Sequence, residues 1–376
     1  MDDHARADGV ILIASLILLG FGLTMVLCAS AGLDSGGPPD TYFVRQLLRA
    51  GIGCLALVGA YLLPRSWLSG LAPVGIVVAL AAVVMTLTPL GHGPAEQISH
   101  RWLRVFGVVV QPSEFLKLML VVHLARLLAR REERVDTIAG IAAPLLIVFA
   151  VTGLIAAQPN MGMAVTLGMI GVGVIFVAGA RWLHLAMFAV PLVMTAILRI
   201  LSVSYERHRL AAWLQGNHMN SLDTGYQLDQ SLIALGSGGF GGRGFGHSVQ
   251  KFHFLPAPHT DFIFAIIGEE GGFVVASLVL LVYALIVARA FRVAARLPDT
   301  FGGLVAAGIG IMIGVQVLLN VAVVTGLIPT TGLPLPLLSY GGSSLIVHLA
   351  AIGVLLRLSK DAVPSLPRGL VAEPEG

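Results

Sequence analysis

Charge is what this sequence has least of. Asp, Glu, Lys and Arg make up 11% of its 376 residues, against about a quarter in a soluble globular chain. So few charges cannot cover a water-facing surface, and they exclude a soluble fold. The net charge of +3 is small and spread along the chain, so there is no electrostatic footprint for nucleic acid. Only two cysteines occur, Cys28 and Cys54, both inside apolar blocks. That argues against a disulfide framework or a cysteine-held metal. What is present is apolar: 56% of residues are hydrophobic, and the 45 glycines outnumber the 23 basic and 20 acidic residues together. A mean hydropathy of +0.89 excludes disorder and makes lipid the main solvent. The first eight residues, MDDHARAD, mix both charges, and no A-x-A-like cleavage site follows the first apolar block. That block therefore reads as a retained span.

A bilayer core of about 30 Å takes about 20 apolar residues per helix. On that measure the chain predicts an all-α polytopic membrane protein of ten transmembrane helices: 9–31, 43–63, 68–90, 113–128, 138–157, 163–180, 183–203, 262–290, 301–327 and 343–358. Residues 1–8 form an N-terminal tail, 9–360 the membrane domain and 361–376 a C-terminal tail. Arg126, Arg130, Arg131 and Arg134 follow span four, Arg289, Arg292 and Arg296 follow span eight, and Arg357 and Lys360 follow span ten. The positive-inside rule then places both termini in the cytoplasm. Three substantial segments are left outside: 91–112, the long loop 205–261 and the Pro/Gly-rich 328–342. A structureless loop of that length is usually functional, and His208, His218, His247, His253 and His259 lie in it.

Several residues could carry chemistry. Asp261, in HTDFIF at the mouth of span eight, could be a general base with a raised pKa. Thr260 and Asp261 are also good helix caps, and on the residues alone capping is favoured. Glu269 and Glu270 lie deeper in the same span, where acids are costly; they could face a cavity or pair structurally with an arginine such as Arg199. Glu114 and Lys117 share a helix face at the start of span four, which Ser113 could cap. Arg101 and Arg104 flank Trp102, an arrangement suited to gripping a lipid phosphate as well as to anchoring. The glycine run GSGGFGGRGFG (236–246) lacks the Gly-Lys-Ser/Thr and strand of a nucleotide loop; it predicts a flexible hinge with Arg243 available to a phosphate. The histidines lack the i, i+4 spacing of a helix-borne zinc site. Transporter and membrane enzyme both remain open at this point.

Taken together, Arg101-Trp102, QPSEFLK (111–117), GYQL (225–228), GHSVQK (246–251), FLP (254–256), HTDFIFAIIGEE (259–270) and PTTGLPLPLLSYGGSS (329–344) resemble the SEDS family of bacterial peptidoglycan glycosyltransferases, typified by FtsW and RodA. GYQLDQS and GHSVQKFHFLP are closer to the division type, FtsW, while Thr331 stands where many FtsW sequences carry lysine. The resemblance implies a ten-span fold with its large outer loop between helices seven and eight. It implies polymerisation of lipid II at the outer face of the bacterial inner membrane, with inversion and with Asp261 as base. Arg101, Lys117, Arg207, Arg209, Arg243 and Lys251 become candidates for holding the pyrophosphate. Trp102, Glu114 and His259 join them as cavity residues, and Asn160, Glu269, Glu270, Ser339 and Tyr340 as support. No tightly bound cofactor is implied, although a divalent cation (Mg or Mn) could assist. The implied partners are lipid II, a class B penicillin-binding protein and other divisome proteins. One departure stands out: the family commonly reads Pro-Asp-Phe/Leu-Gly-Thr where this chain has Pro159-Asn160-Met161-Gly162-Met163. A lipid II flippase and a noncatalytic scaffold are the alternatives.

Overall fold

The computed structural model describes residues 7–30, 41–92, 101–105, 107–158, 160–215, 224–252 and 254–362. His218, His253, most of both tails and the side chains of Arg199 and His208 lie outside the described residues. The described chain forms twelve α-helices: α1 Gly9–Ser30, α2 Thr41–Leu62, α3 Arg65–Thr86, α4 Pro112–Ala129, α5 Ile138–Ala157, α6 Met161–Val177, α7 Trp182–Ser202, α8 Ser204–Gln215, α9 Thr224–Gly238, α10 Ile263–Arg296, α11 Thr300–Val324 and α12 Gly342–Ser359. Every expected apolar block is helical. By length and composition alone, seven helices (α1, α2, α3, α5, α10, α11 and α12) suffice to cross a membrane. The charges of α4 and the 17-residue length of α6 put those two below that mark.

The burial pattern is that of a bundle in lipid. On α2 only the stripe Gln46, Ala50, Gly53 and Leu57 is buried, the face that packs along α12. Its other faces show Leu48, Ile52, Leu55 and Val58 to the surroundings, which suits hydrocarbon. The centre is built by α10 against α11 and α1, and by α4 between α3 and α11. At the end expected to be cytoplasmic, Asp8 pairs with Arg289 at 2.6 Å, and Arg65 binds both Asp299 and Asp361. These pairs tie the ends of five helices together.

Four features depart from the sequence-based expectation. The 91–112 segment carries a small antiparallel sheet of β1 Gly91–His92, β2 Trp102–Val105 and β3 Val108–Val110, an addition to a fold that is otherwise all-α as expected. The long loop is not structureless, since α8 and α9 lie within it. The segment 328–342 does not lie over the bundle but folds into it, with Leu333, Leu335, Leu337 and Leu338 at most 4% exposed. Tyr283, roughly 16 Å along α10 from Gly272 at 1.5 Å per residue, donates a hydrogen bond to the Pro336 carbonyl. Such irregular backbone is tolerated at depth because protein, not lipid, surrounds it.

The fourth departure is a break in α10 at Gly272 (φ 66°, ψ −171°). A break strands carbonyls before it and N–H groups after it. The glycine run takes them up: Arg243 N–H donates to Glu269 O (3.0 Å), Gly244 N–H to Glu270 O (2.9 Å), and Phe273 N–H to Gly239 O (2.9 Å). Any side chain on Gly272 would collide with the backbone of Gly242, and any on Gly242 with Glu270 O. The run is therefore a pinned insert and not a free hinge.

Candidate active site

The segment before α10 brings Asp261 to a cleft of about 410 Å³, bounded by the starts of α4 and α6, by α2, α8 and the sheet, and by residues 331–334 and 340–344. The carboxylate does not cap α10: Phe262 holds the N-cap position and no side chain bonds to the first turn. The capping role favoured by the residue type is therefore not used. Likewise Gln111, not Ser113, is the N-cap of α4. Its backbone N–H donates to Ser343 Oγ at 2.9 Å, joining α4 to α12.

The backbone presenting Asp261 is held at three successive carbonyls. Tyr340 N–H donates to His259 O at 2.8 Å, Ser339 Oγ to Thr260 O at 2.6 Å, and Asn320 Nδ2 to Asp261 O at 2.8 Å. Gly332 (φ 72°) passes close to the carboxylate, a Cβ there lying 3.4 Å from Asp261 Oδ2. Burial raises the Asp261 pKa from its ordinary value to about 6, with Arg209 and Arg101 pulling the other way. A carboxyl poised near neutrality can accept a proton and release it again.

Three arginines share the cleft with Asp261 and Glu114: Arg101, Arg209 and Arg49. The first two were expected. Arg49 was not, although an arginine inside the apolar block of span two was a readable signal. Its guanidinium carbon lies 4.5 Å from the centroid of the Tyr340 ring, a contact that holds the cation toward the cleft. Trp102, Asn160, Met163 and Tyr340 also line the cleft, so the departure from the family pattern at 160 and 163 falls on its wall. Asn160 is the N-cap residue of α6 without a side-chain cap bond.

The remaining candidates stand elsewhere. Lys117 is fully buried, paired with Glu114 at 2.8 Å and bonded to Gln316. Lys251 is 2% exposed and bound to Glu270 at 3.3 Å and to Gly246 O at 2.6 Å. Arg243 pairs with Glu269 at 3.2 Å, and Ser248 Oγ donates to the same carboxylate at 2.5 Å. Glu269 and Glu270 thus belong to the pinned insert, with Arg243 and Lys251 as their cations. Arg207 is exposed on α8. His259 packs between Tyr42 (4.8 Å) and Tyr340 (5.3 Å between ring centroids). Burial lowers its pKa to about 4, so it is neutral at pH 7 and adds no charge.

Sequence reasoning also missed Gln316 and Asn320. Two amides four residues apart in an otherwise apolar span were the available signal. A second cavity, of about 670 Å³, lies among α5, α6 and α7 and is lined almost wholly by apolar side chains such as Phe149, Met161, Val165 and Met169. Among the described residues, no three His, Cys, Asp or Glu come together to hold a metal ion. The Asp261 cleft is a cationic one, a poor fit for a resident Mg or Mn ion.

Residues 9–363 match the family described as "Cell cycle protein", FTSW_RODA_SPOVE. The chain is 40% identical over 360 residues to Stage V sporulation protein E of Bacillus subtilis (strain 168), covering 94% of this chain and 97% of that protein. It is 37% identical over 362 residues to the "Probable peptidoglycan glycosyltransferase FtsW" of Trichlorobacter lovleyi, covering 94% and 93%. Among solved structures, the rod shape determining protein RodA of Thermus thermophilus superposes with a TM-score of 0.71 at 28% identity, covering 95% of this chain and 98% of that one. A chain from the structure described as "Structural coordination of polymerization and crosslinking by a peptidoglycan synthase complex" superposes with a TM-score of 0.78, also at 28% identity, covering 94% and 98%.

Proposed function

The chain belongs to the FTSW_RODA_SPOVE cell cycle protein family, and from that premise we propose that it is a peptidoglycan glycosyltransferase using Asp261 as general base. The single observation that carries the reading is the setting of Asp261: a carboxyl raised to a pKa of about 6, clamped at its backbone and surrounded by arginines in an accessible cleft. The substrate class is an undecaprenyl-pyrophosphate-linked disaccharide-peptide, lipid II.

In this mechanism the 4-hydroxyl of the acceptor N-acetylglucosamine attacks C1 of the donor N-acetylmuramoyl unit. Asp261 takes the hydroxyl proton as the new C–O bond forms. The bond from C1 to the pyrophosphate oxygen breaks, and undecaprenyl pyrophosphate leaves with inversion at C1 through an oxocarbenium-like state. Arg49, Arg101 and Arg209 meet the charge developing on the leaving group. The start of α6 is a shared wall: Asn160 and Met163 face the polar cleft, while Met161 and Ala164 face the apolar cavity. Such adjacency suits a ligand with a pyrophosphate head and a polyprenyl tail.

The same reading makes α4, α6 and α7 the spans that complete ten, with both termini inside and the cleft at the outer face. The FtsW names among its relatives support a role in division. The peptidoglycan synthase complex supports a class B penicillin-binding protein as partner, with other divisome proteins around it. The test is polymerisation of labelled lipid II by the purified protein, with and without its cognate transpeptidase, comparing wild type with Asp261→Ala. Glycan strands from wild type alone are expected. Strands from both would remove Asp261 from the chemistry. None from a folded, partner-bound wild type would favour the scaffold reading, for which Asn160 and Met163 in the cleft wall are the specific observation. Facile transbilayer movement of lipid II without polymer would favour the flippase.

A further inference from the structure

We infer that Asn320, supported by Gln316 one turn before it, is the positioning residue that ties Asp261 to the neighbouring segment 332–334 of the cleft lining. This role rests on the reading of Asp261 as the base and adds what keeps that base in place.

Amides are expensive within an apolar helix unless their groups find partners. Asn320 is 1% exposed and Gln316 fully buried; both groups of Gln316 and the Nδ2 donors of Asn320 are met by specific contacts, while Asn320 Oδ1 has no partner among the described residues. The two hydrogens of Asn320 Nδ2 go to carbonyls of two different segments: Asp261 O at 2.8 Å and Leu333 O at 2.7 Å. One amide therefore staples the residue bearing the base to a second segment that lines the same cleft. Gln316 Nε2 donates to the next carbonyl, Pro334 O, at 2.7 Å. Gln316 Oε1 in turn accepts from Lys117 Nζ, and Lys117 is paired with Glu114, which itself lines the cleft. Joined through the Leu333–Pro334 backbone, these contacts run from the α4 wall through α11 to the backbone of Asp261.

The other two carbonyl clamps, from Ser339 and Tyr340, act one and two residues upstream. The Asn320 bond acts on Asp261 itself. If it is lost, two carbonyls lose their partner and the Cα of Asp261 is free to drift toward the cleft. A displacement of about 1 Å at a reacting group costs about 100-fold in rate. Substrate affinity, set by the arginines on other elements, has no reason to change.

The experiment uses purified full-length protein in complex with its transpeptidase, with lipid II as substrate, and separates kcat from KM. Asn320→Leu removes both donors at nearly constant volume. It is expected to lower kcat about 100-fold with KM within about threefold of wild type. Asn320→Gln, which keeps the amide, is expected to retain at least about tenfold more turnover than Asn320→Leu. A wild-type kcat in Asn320→Leu, a loss confined to KM, or a change in thermal stability alone would overturn the role. If Asn320→Leu gives no folded protein, Asn320→Ser replaces it under the same criterion: Asn320→Gln must exceed it about tenfold, and equal rates overturn the role. Asp261→Ala is run alongside. Turnover in that variant would sink the base reading itself. A dead Asp261→Ala beside a fully active Asn320→Leu would remove only the positioning role.

Discussion

The Asp261 cleft and the insert at the α10 break both carry charge, and they use similar residues to opposite ends. In the insert, Glu269 and Glu270 are fully covered and have Arg243 and Lys251 as cations. Their remaining contacts go to Ser248 Oγ and to backbone N–H groups of the same loop. In the cleft, Arg49, Arg101 and Arg209 outnumber Asp261 and Glu114 around an open volume. A charge closed off by its counter-charge is costly to unpair; a surplus of one sign around a cavity suits a ligand of the opposite sign. The glycine run for Arg243, and the family resemblance for both Arg243 and Lys251, made them candidates for the pyrophosphate, because place in a motif does not show whether a charge is already paired.

The sharpest way to break the comparison is to remove the central group of each region. Asp261→Ala should lower polymerisation by about 100-fold or more while the thermal midpoint changes little; a lipid II assay with a melting curve reads both. Lys251→Met should do the reverse. Leaving Glu270 buried without its cation is expected to cost about 3–5 kcal/mol, seen as loss of folded protein. A well-folded Lys251→Met with selectively lost turnover would return Lys251 to the substrate machinery.

The next effect is on the arginines. Arg49→Ala should reduce turnover about tenfold, more than Arg243→Ala, whose side chain is 43% exposed and already paired with Glu269. Equal losses would erase the distinction between the two regions. The pH profile sharpens it further. Because burial raises the Asp261 pKa to about 6, its ionised, proton-accepting form grows as pH rises through 6. Rate should therefore climb from pH 5 to 7 and then level. A profile flat across that window would exclude a base in this environment. The smallest expected effect is at the cleft wall: Asn160→Asp restores the acid common in the family and should change the rate by less than about tenfold. A larger gain would identify the hairpin as the element that limits this protein.

Much of the fold was legible because lipid imposes one rule on every span: apolar side chains outside and backbone bonds satisfied within. Each apolar block is accordingly a helix. The misses lie where the chain departs from that rule. The buried segment 328–342 is rich in proline and glycine, which locally resembles any surface loop; its buried leucines and the bonds from Gln316, Asn320 and Tyr283 show it entering the bundle. The break at Gly272 was invisible for the same reason, since a glycine among glycines does not announce its backbone angles. Asp261 was visible as an acid at a helix mouth, but whether it capped or faced a cavity depended on where Phe262 began the helix.

By itself, then, the sequence determined the solvent, the helical blocks and the residues that bear charge, because these follow from composition and from spacing along one chain. The tertiary structure alone decided which charges neutralise one another and which line a cleft. That depends on distances between segments remote in sequence: Asp261 from Asn320 and Gly332, Arg49 from Tyr340, Lys251 from Glu270. Electrostatic and hydrogen-bond energies act over a few ångströms of space, and nothing in the order of residues states those ångströms.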